Sequence, residues 1–134
     1  MYLALLNDEQ KELYINLAIN LASVDGNFSQ EEKAVIEAYC YEMGITYDFS
    51  KEIKEVEDVI EKLNEISGIR EKRIIVFETI GLAMADRDFQ NSERAVIVTL
   101  IKKFGLEEIY IEECENILEK YIEFQREIND LVIG

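Results

Sequence analysis

Residues 21–45 read LASVDGNFSQEEKAVIEAYCYEMGI, and residues 82–106 read LAMADRDFQNSERAVIVTLIKKFGL. Laid over one another without a gap, at a constant offset of 61, the two stretches agree at nine of twenty-five positions. The matches are Leu21/Leu82, Ala22/Ala83, Asp25/Asp86, Phe28/Phe89, Glu32/Glu93, Ala34/Ala95, Val35/Val96, Ile36/Ile97 and Gly44/Gly105. This density predicts two copies of one helix-loop-helix unit, each placing an Asp and a Glu seven residues apart across a tight bend. Two such units in one chain commonly pack about a pseudo-two-fold axis, with their most apolar helices meeting at the centre.

Outward from the repeat, the pattern is helical throughout. Asn7 caps a first helix from about Asp8 to Val24, with acids in its first turn where the helix dipole favours them. Its apolar residues run nearly all the way round and leave only a thin polar stripe of Asn16, Asn20 and Ser23, as expected of a central helix. After the bend at Asp25, Gly26 and Asn27, Ser29 and Glu32 form an S-x-x-E capping box that opens a second helix through about Met43, closed by Gly44. A loop from Ile45 to Ser50 leads to a charged surface helix over Lys51–Ile66, with Ile53, Val56, Ile60 and Leu63 on one face. A nearly all-apolar helix from about Arg70 to Ala85 mirrors the first. A fifth runs from about Asn91 to Phe104 and stops at Gly105. The remainder, Glu107 to Val132, is one long helix or two pieces, with nine acids to two bases. The expected fold is all-α: one compact domain over 1–134, a bundle of six to seven helices with repeat units at about 8–45 and 70–106.

Composition narrows the function. Proline is absent and there are only six glycines, so nothing breaks long helices from within. Fourteen Lys and Arg against twenty-nine Asp and Glu give a formal net charge of −15, which repels nucleic acid and anionic membrane and attracts cations or basic partners. The start lacks a basic n-region, and no stretch approaches the roughly 18 to 20 apolar residues that span a bilayer. The expectation is a cytoplasmic protein that does not insert into membrane. Cys40 and Cys114 lack CxxC spacing and read as buried free thiols. Histidine is absent, which removes His-activated nucleophiles, His general bases and imidazole metal ligation. Any metal would be held by oxygen. With no glycine-rich phosphate loop either, the chain is not expected to be an enzyme.

The acidic bends have two readings. Asp25 and Asp86 sit at the C-terminal ends of helices, against the negative pole of the macrodipole, which is mildly unfavourable. In the local reading each Asp accepts amide hydrogen bonds from its own bend, and Glu32 and Glu93 are first-turn helix acids. The capping box with Ser29 already explains Glu32. Glu93 is explained less well, because Gln90, a poor cap, stands at the position of Ser29, although Asp88 or Asn91 can take over capping. In the second reading, the carboxylates of Asp25, Glu32, Asp86 and Glu93 hold Ca²⁺, Mg²⁺ or Mn²⁺ at two sites or one shared site. DGNFSQEE matches the second half of an EF-hand loop, but Leu21 and Ser23 stand where the first ligands belong. The second copy has Leu82 and Met84 there, and Arg87 in place of the glycine. An EF-hand is therefore not expected.

The pattern L-A-x-x-D-G-x-[FI]-x-x-x-E, repeated as L-A-x-A-D-x-x-F-x-x-x-E, resembles the TerB-like domain superfamily, the family of the tellurite-resistance protein TerB. The similarity runs from Glu9 to about Tyr121. It implies a bundle of about seven helices with internal pseudo-symmetry and an acidic cluster proposed to bind metal, here Asp25, Glu32, Asp86 and Glu93. It also implies association with stress-response complexes, since such domains occur with membrane partners and in a DnaJ-type co-chaperone. The chain departs from the pattern at Arg87, which replaces the usual glycine and brings a cation beside Asp86; Asp88 follows two positions on.

The alternative function is a helical interaction scaffold without a metal site. Ile111, Cys114, Leu118, Tyr121, Ile128 and Val132 form a long apolar seam in the last helix, broken only by Gln125. Most of it is expected to be core, with a far end that projects from the domain and offers a route to a homodimer.

Overall fold

A computed structural model describes residues 1–24, 29–48, 52–84 and 91–134. Among these there are six α-helices and no strand: α1 (Asp8–Ser23), α2 (Gln30–Met43), α3 (Val56–Ile66), α4 (Ile69–Ala83), α5 (Asn91–Phe104) and α6 (Ile109–Val132). A 3-10 turn, Leu3–Leu5, precedes them.

The start of α1 is fixed by a reciprocal box. Asn7 Oδ1 accepts the Gln10 N–H at 2.8 Å, and Gln10 Oε1 accepts the Asn7 N–H at 2.9 Å. The same buried Gln10 donates its Nε2 to the Ile66 carbonyl and to Ser67 Oγ, both at 3.2 Å, which ties the entry of α1 to the exit of α3. Helix α1 then buries Leu13 through Ile19 and Leu21 and Ala22, and it packs on α2, α3, α4 and α5. Helix α4, equally apolar, packs on α1, α2, α5 and α6. The two helices touch at the centre, where Tyr14, Ile15, Leu17, Ile75, Ile80 and Leu82 are wholly removed from water. Tyr14 packs against Tyr39 of α2, with ring centroids 5.7 Å apart, and Tyr39 donates its hydroxyl to the Glu78 carbonyl of α4.

Helices α2 and α5 end alike. Gly44 (φ +69°) and Gly105 (φ +71°) are left-handed, and the N–H of the following residue reaches back five positions, Ile45 to the Cys40 carbonyl and Leu106 to the Ile101 carbonyl. Each is a Schellman closure, open to residues without a Cβ. Lys11 of α1 adds a hydrogen bond from Nζ to the Met43 carbonyl at 3.1 Å, satisfying an end group of α2.

Three features depart from the sequence reading. Helix α3 starts at Val56, not Lys51, because the polar stripe of α1 holds the chain just before it: Asn16 Oδ1 accepts the Lys54 N–H at 3.3 Å, and Asn20 Nδ2 donates to the Lys54 carbonyl at 3.0 Å. Ile53 therefore precedes the helix and stays 39% exposed. The last segment is one unbroken helix, one of the two forms expected, with a projecting far end as expected, but less of its seam is core than expected. Ile111, Cys114 and Leu118 are buried, whereas every residue from Tyr121 onward is exposed. The body of the domain ends before the helix does. The N-terminal residues, for which the sequence suggested no structure, bury Leu3 and Leu6 between α2 and α4.

Candidate functional site

Of the four acids singled out by the repeat, Glu32 and Glu93 lie among the described residues; Asp25 and Asp86 lie outside them, as do Arg87, Asp88 and Gln90. Glu32 is the third residue of α2, and its capping box is formed. Ser29 Oγ accepts the Glu32 N–H at 3.1 Å, and Glu32 Oε1 accepts the Ser29 N–H at 3.2 Å and the Ser29 hydroxyl at 3.1 Å. Glu93 is the third residue of α5. Both side chains are 3% exposed, whereas the first-turn acids Asp8 and Glu9 of α1 face solvent. The box accounts for the burial of Glu32, since Gln10, its counterpart in α1, is buried to the same degree. Taking a carboxylate out of water is costly without compensating contacts, so two carboxylates buried at matching places are the least expected polar groups of the two helix starts.

The packing brings the two units together. Helix α1 touches α5, and α4 touches α2, so the first helix of each unit meets the second helix of the other. A cleft of about 330 Å³ lies between α3 and α5, beside the end of α1. Val24, the last described residue before Asp25, and Ser92, next to Glu93, line it together with Val56, Ile60, Val96 and Thr99. Among the described residues, no group of three or more Asp, Glu, Cys or His is placed to hold a metal ion. The four acids singled out by the repeat carry carboxylate oxygens, which suit hard cations.

Thiol and phenol chemistry is subdued. Burial pushes the Cys40 thiol up and the Cys114 thiol to about 11, so both are protonated at neutral pH. Both cysteines are free and buried, as their helical setting suggested. Burial, with help from nearby acids and hydroxyls, holds the Tyr14 and Tyr39 hydroxyls well above their usual range.

Two further features escaped the sequence. Glu78, buried within the apolar α4, accepts the Tyr2 N–H at 2.9 Å and lies 3.1 Å from the Met1 ammonium, which also pairs with Glu42 at 2.8 Å. Nearby, Tyr2, Leu5, Ile69, Arg70, Arg73 and Phe77, with Ile74 and Tyr110, line an open groove of about 410 Å³. It is assembled from the 3-10 turn, α4 and the start of α6, three segments that no local pattern links. Its one visible trace in the sequence is a pair of arginines opening α4 on a strongly acidic chain.

No family model and no curated protein matches the chain. Among solved structures it is similar to a tellurite resistance protein from Nostoc punctiforme, at 21% identity and a TM-score of 0.64, over 96% of this chain and 84% of that one. At that identity the likeness is one of fold. The chain has the all-helical, TerB-like fold that its two L-A-x-x-D motifs led us to expect. No helix among the described residues is long and apolar enough to cross a membrane.

Proposed function

We propose that this chain is a non-catalytic TerB-like module, working in a tellurite-resistance or stress-response setting, that binds a divalent cation through Asp25, Glu32, Asp86 and Glu93. The observation that carries this reading is the cleft between α3 and α5 at the end of α1, where Val24 leads into Asp25 and Ser92 adjoins the buried Glu93. The charge of −15 draws cations towards such acids. Ca²⁺, Mg²⁺ and Mn²⁺ all suit carboxylate oxygens. Thermal melting with and without each ion tests the proposal. An ion at 100 times its Kd adds about 2.7 kcal/mol, and Asp25→Asn or Asp86→Asn should remove the shift. No shift at millimolar metal discards it.

A second reading, a helical scaffold that binds a basic or membrane-associated protein, draws on a different observation. Phe124, Leu131 and Val132 are 60–87% exposed on the outer half of α6. If truncation after Tyr121 leaves self-association and partner capture unchanged, α6 is not the contact surface.

A further inference from the structure

We infer that Glu42 and Glu78 form a recognition site for a free peptide N-terminus, filled by the first six residues of this chain, so that acylation of the α-amine unseats them. The site draws on neither the acidic bends nor the overhang of α6.

Glu78 is the one charged side chain that α4 buries, at 5% exposure. A carboxylate in that position is costly unless a cation and hydrogen-bond donors meet it. The start of the chain supplies both. Glu78 Oε1 accepts the Tyr2 N–H at 2.9 Å and lies 3.1 Å from the Met1 ammonium. From α2, Glu42 Oε1 accepts a hydrogen bond from that ammonium at 2.8 Å, and its Oε2 accepts the Leu3 N–H at 3.0 Å. Among the described residues neither acid pairs with a lysine or arginine. Two carboxylates on different helices thus hold three successive main-chain nitrogens.

Such a set of contacts selects a terminus rather than a particular sequence. Both carboxylates reach the same nitrogen, so their charges repel unless that nitrogen is cationic. An internal peptide presents one neutral N–H there, and an acylated terminus does the same while adding a carbonyl oxygen beside two acids. Either change leaves Glu78 a buried carboxylate without its countercharge. Side chains add a sparser selection. Leu3 and Leu6 are 0% and 3% exposed, whereas Met1, Tyr2 and Leu5 are 50–54% exposed. The ligand is accordingly a free α-ammonium followed by apolar residues at the third and sixth positions. Its seating matters to the neighbouring surface, because Tyr2 and Leu5 line the groove beside α4 and the Tyr2 ring meets Phe77 edge to face at 6.1 Å. Release exposes Leu3 and Leu6 and removes that wall.

The test compares the full chain with a free and with an Nα-acetylated Met1, each with and without Glu78→Gln. Acetylation should speed hydrogen exchange of the Tyr2 and Leu3 amides by about tenfold or more and leave amides within α3 and α5 unchanged. Glu78→Gln should lower the melting temperature of the free-amine chain, since it removes the countercharge of the ammonium. In the acetylated chain the same substitution should be neutral or stabilising, because the Gln carbonyl still accepts the Tyr2 N–H and no unpaired charge is buried. Exchange at Tyr2 and Leu3 that acetylation leaves unchanged overturns the inference, as the segment would then be held by Leu3 and Leu6 alone. A loss of equal size from Glu78→Gln in both chains also overturns it. The exchange measurement needs no substitution and decides the matter if Glu78→Gln fails to fold.

Discussion

Asn16 reaches out of the most buried helix of the domain to accept the backbone N–H of Lys54, thirty-eight residues away. Asn16 is itself 4% exposed and also donates Nδ2 to the Glu12 carbonyl, four residues back. Asn16 and Asn20 together hold the N–H and the carbonyl of one residue, Lys54, in the segment that leads into α3 and fix where that helix begins. A polar stripe on a core helix here serves as a clamp.

Asn16→Ala should therefore destabilise the domain by about 1–2 kcal/mol, the net value of a hydrogen bond with a partly buried partner left behind. The change should also speed exchange of the Lys54 amide more than that of amides within α3. Urea unfolding gives the first quantity and hydrogen exchange the second. Equal acceleration across α3 would mean that the clamp does not act locally.

The Met1 ammonium predicts a pH dependence. Burial works against its charge, but the Glu42 hydrogen bond and the Glu78 carboxylate outweigh that and hold it above its ordinary value of 8.0. A group whose pKa is raised on folding stabilises fully below its unfolded pKa and loses that contribution as pH rises through the folded value. Stability should thus begin to fall near pH 8 and continue downward above it. Acetylation of Met1, or Glu42→Gln with Glu78→Gln, should flatten this limb in melts between pH 7 and pH 10.

Gly44 and Gly105 should respond alike to alanine. Nothing lies within 4 Å of an added Cβ at either position, so the cost is that of the left-handed backbone alone, about 1–2 kcal/mol each. The two losses should add, because the glycines close different helices. A difference between them greater than about 1 kcal/mol in chemical denaturation would show that the two closures are not equivalent.

Ser29 and Glu32 separate capping from cation binding. Ser29→Ala removes the cap of α2 and should cost about 1 kcal/mol, with the melting shift on adding a divalent cation retained. Glu32→Gln keeps an acceptor for the Ser29 N–H but removes a charge. It should leave stability in chelator nearly unchanged and shrink the cation shift. A full shift in Glu32→Gln would assign this residue to capping only.

Local chemistry was legible in the sequence, and long-range chemistry was not. Asn7, the Ser29–Glu32 box, Gly44 and Gly105 act on groups within a few residues, and each holds the position its type implied. The two central helices were equally plain, because α1 and α4 are apolar on nearly every side. The start of α3 was misplaced because Ile53 extends the apolar pattern of the helix, whereas its backbone neighbourhood is governed by residues on α1. Glu78 was invisible for a related reason: an acid inside an apolar helix does not reveal that an ammonium and an amide lie opposite it. In the candidate site, the burial of Glu32 followed from its box. That of Glu93, and the approach of α5 to the end of α1, required the packing of the two units.

Helix α6 also has a mechanical consequence. From Leu118, its last buried residue, to Val132 is a run of fourteen residues, which at about 1.5 Å per residue makes a free arm of roughly 21 Å. Anchored at one end by Ile111, Cys114 and Leu118, such an arm is a lever. A tilt of about 10° at its root swings the tip by about 4 Å, so small adjustments where α6 seats on α4 become large displacements of whatever the tip engages.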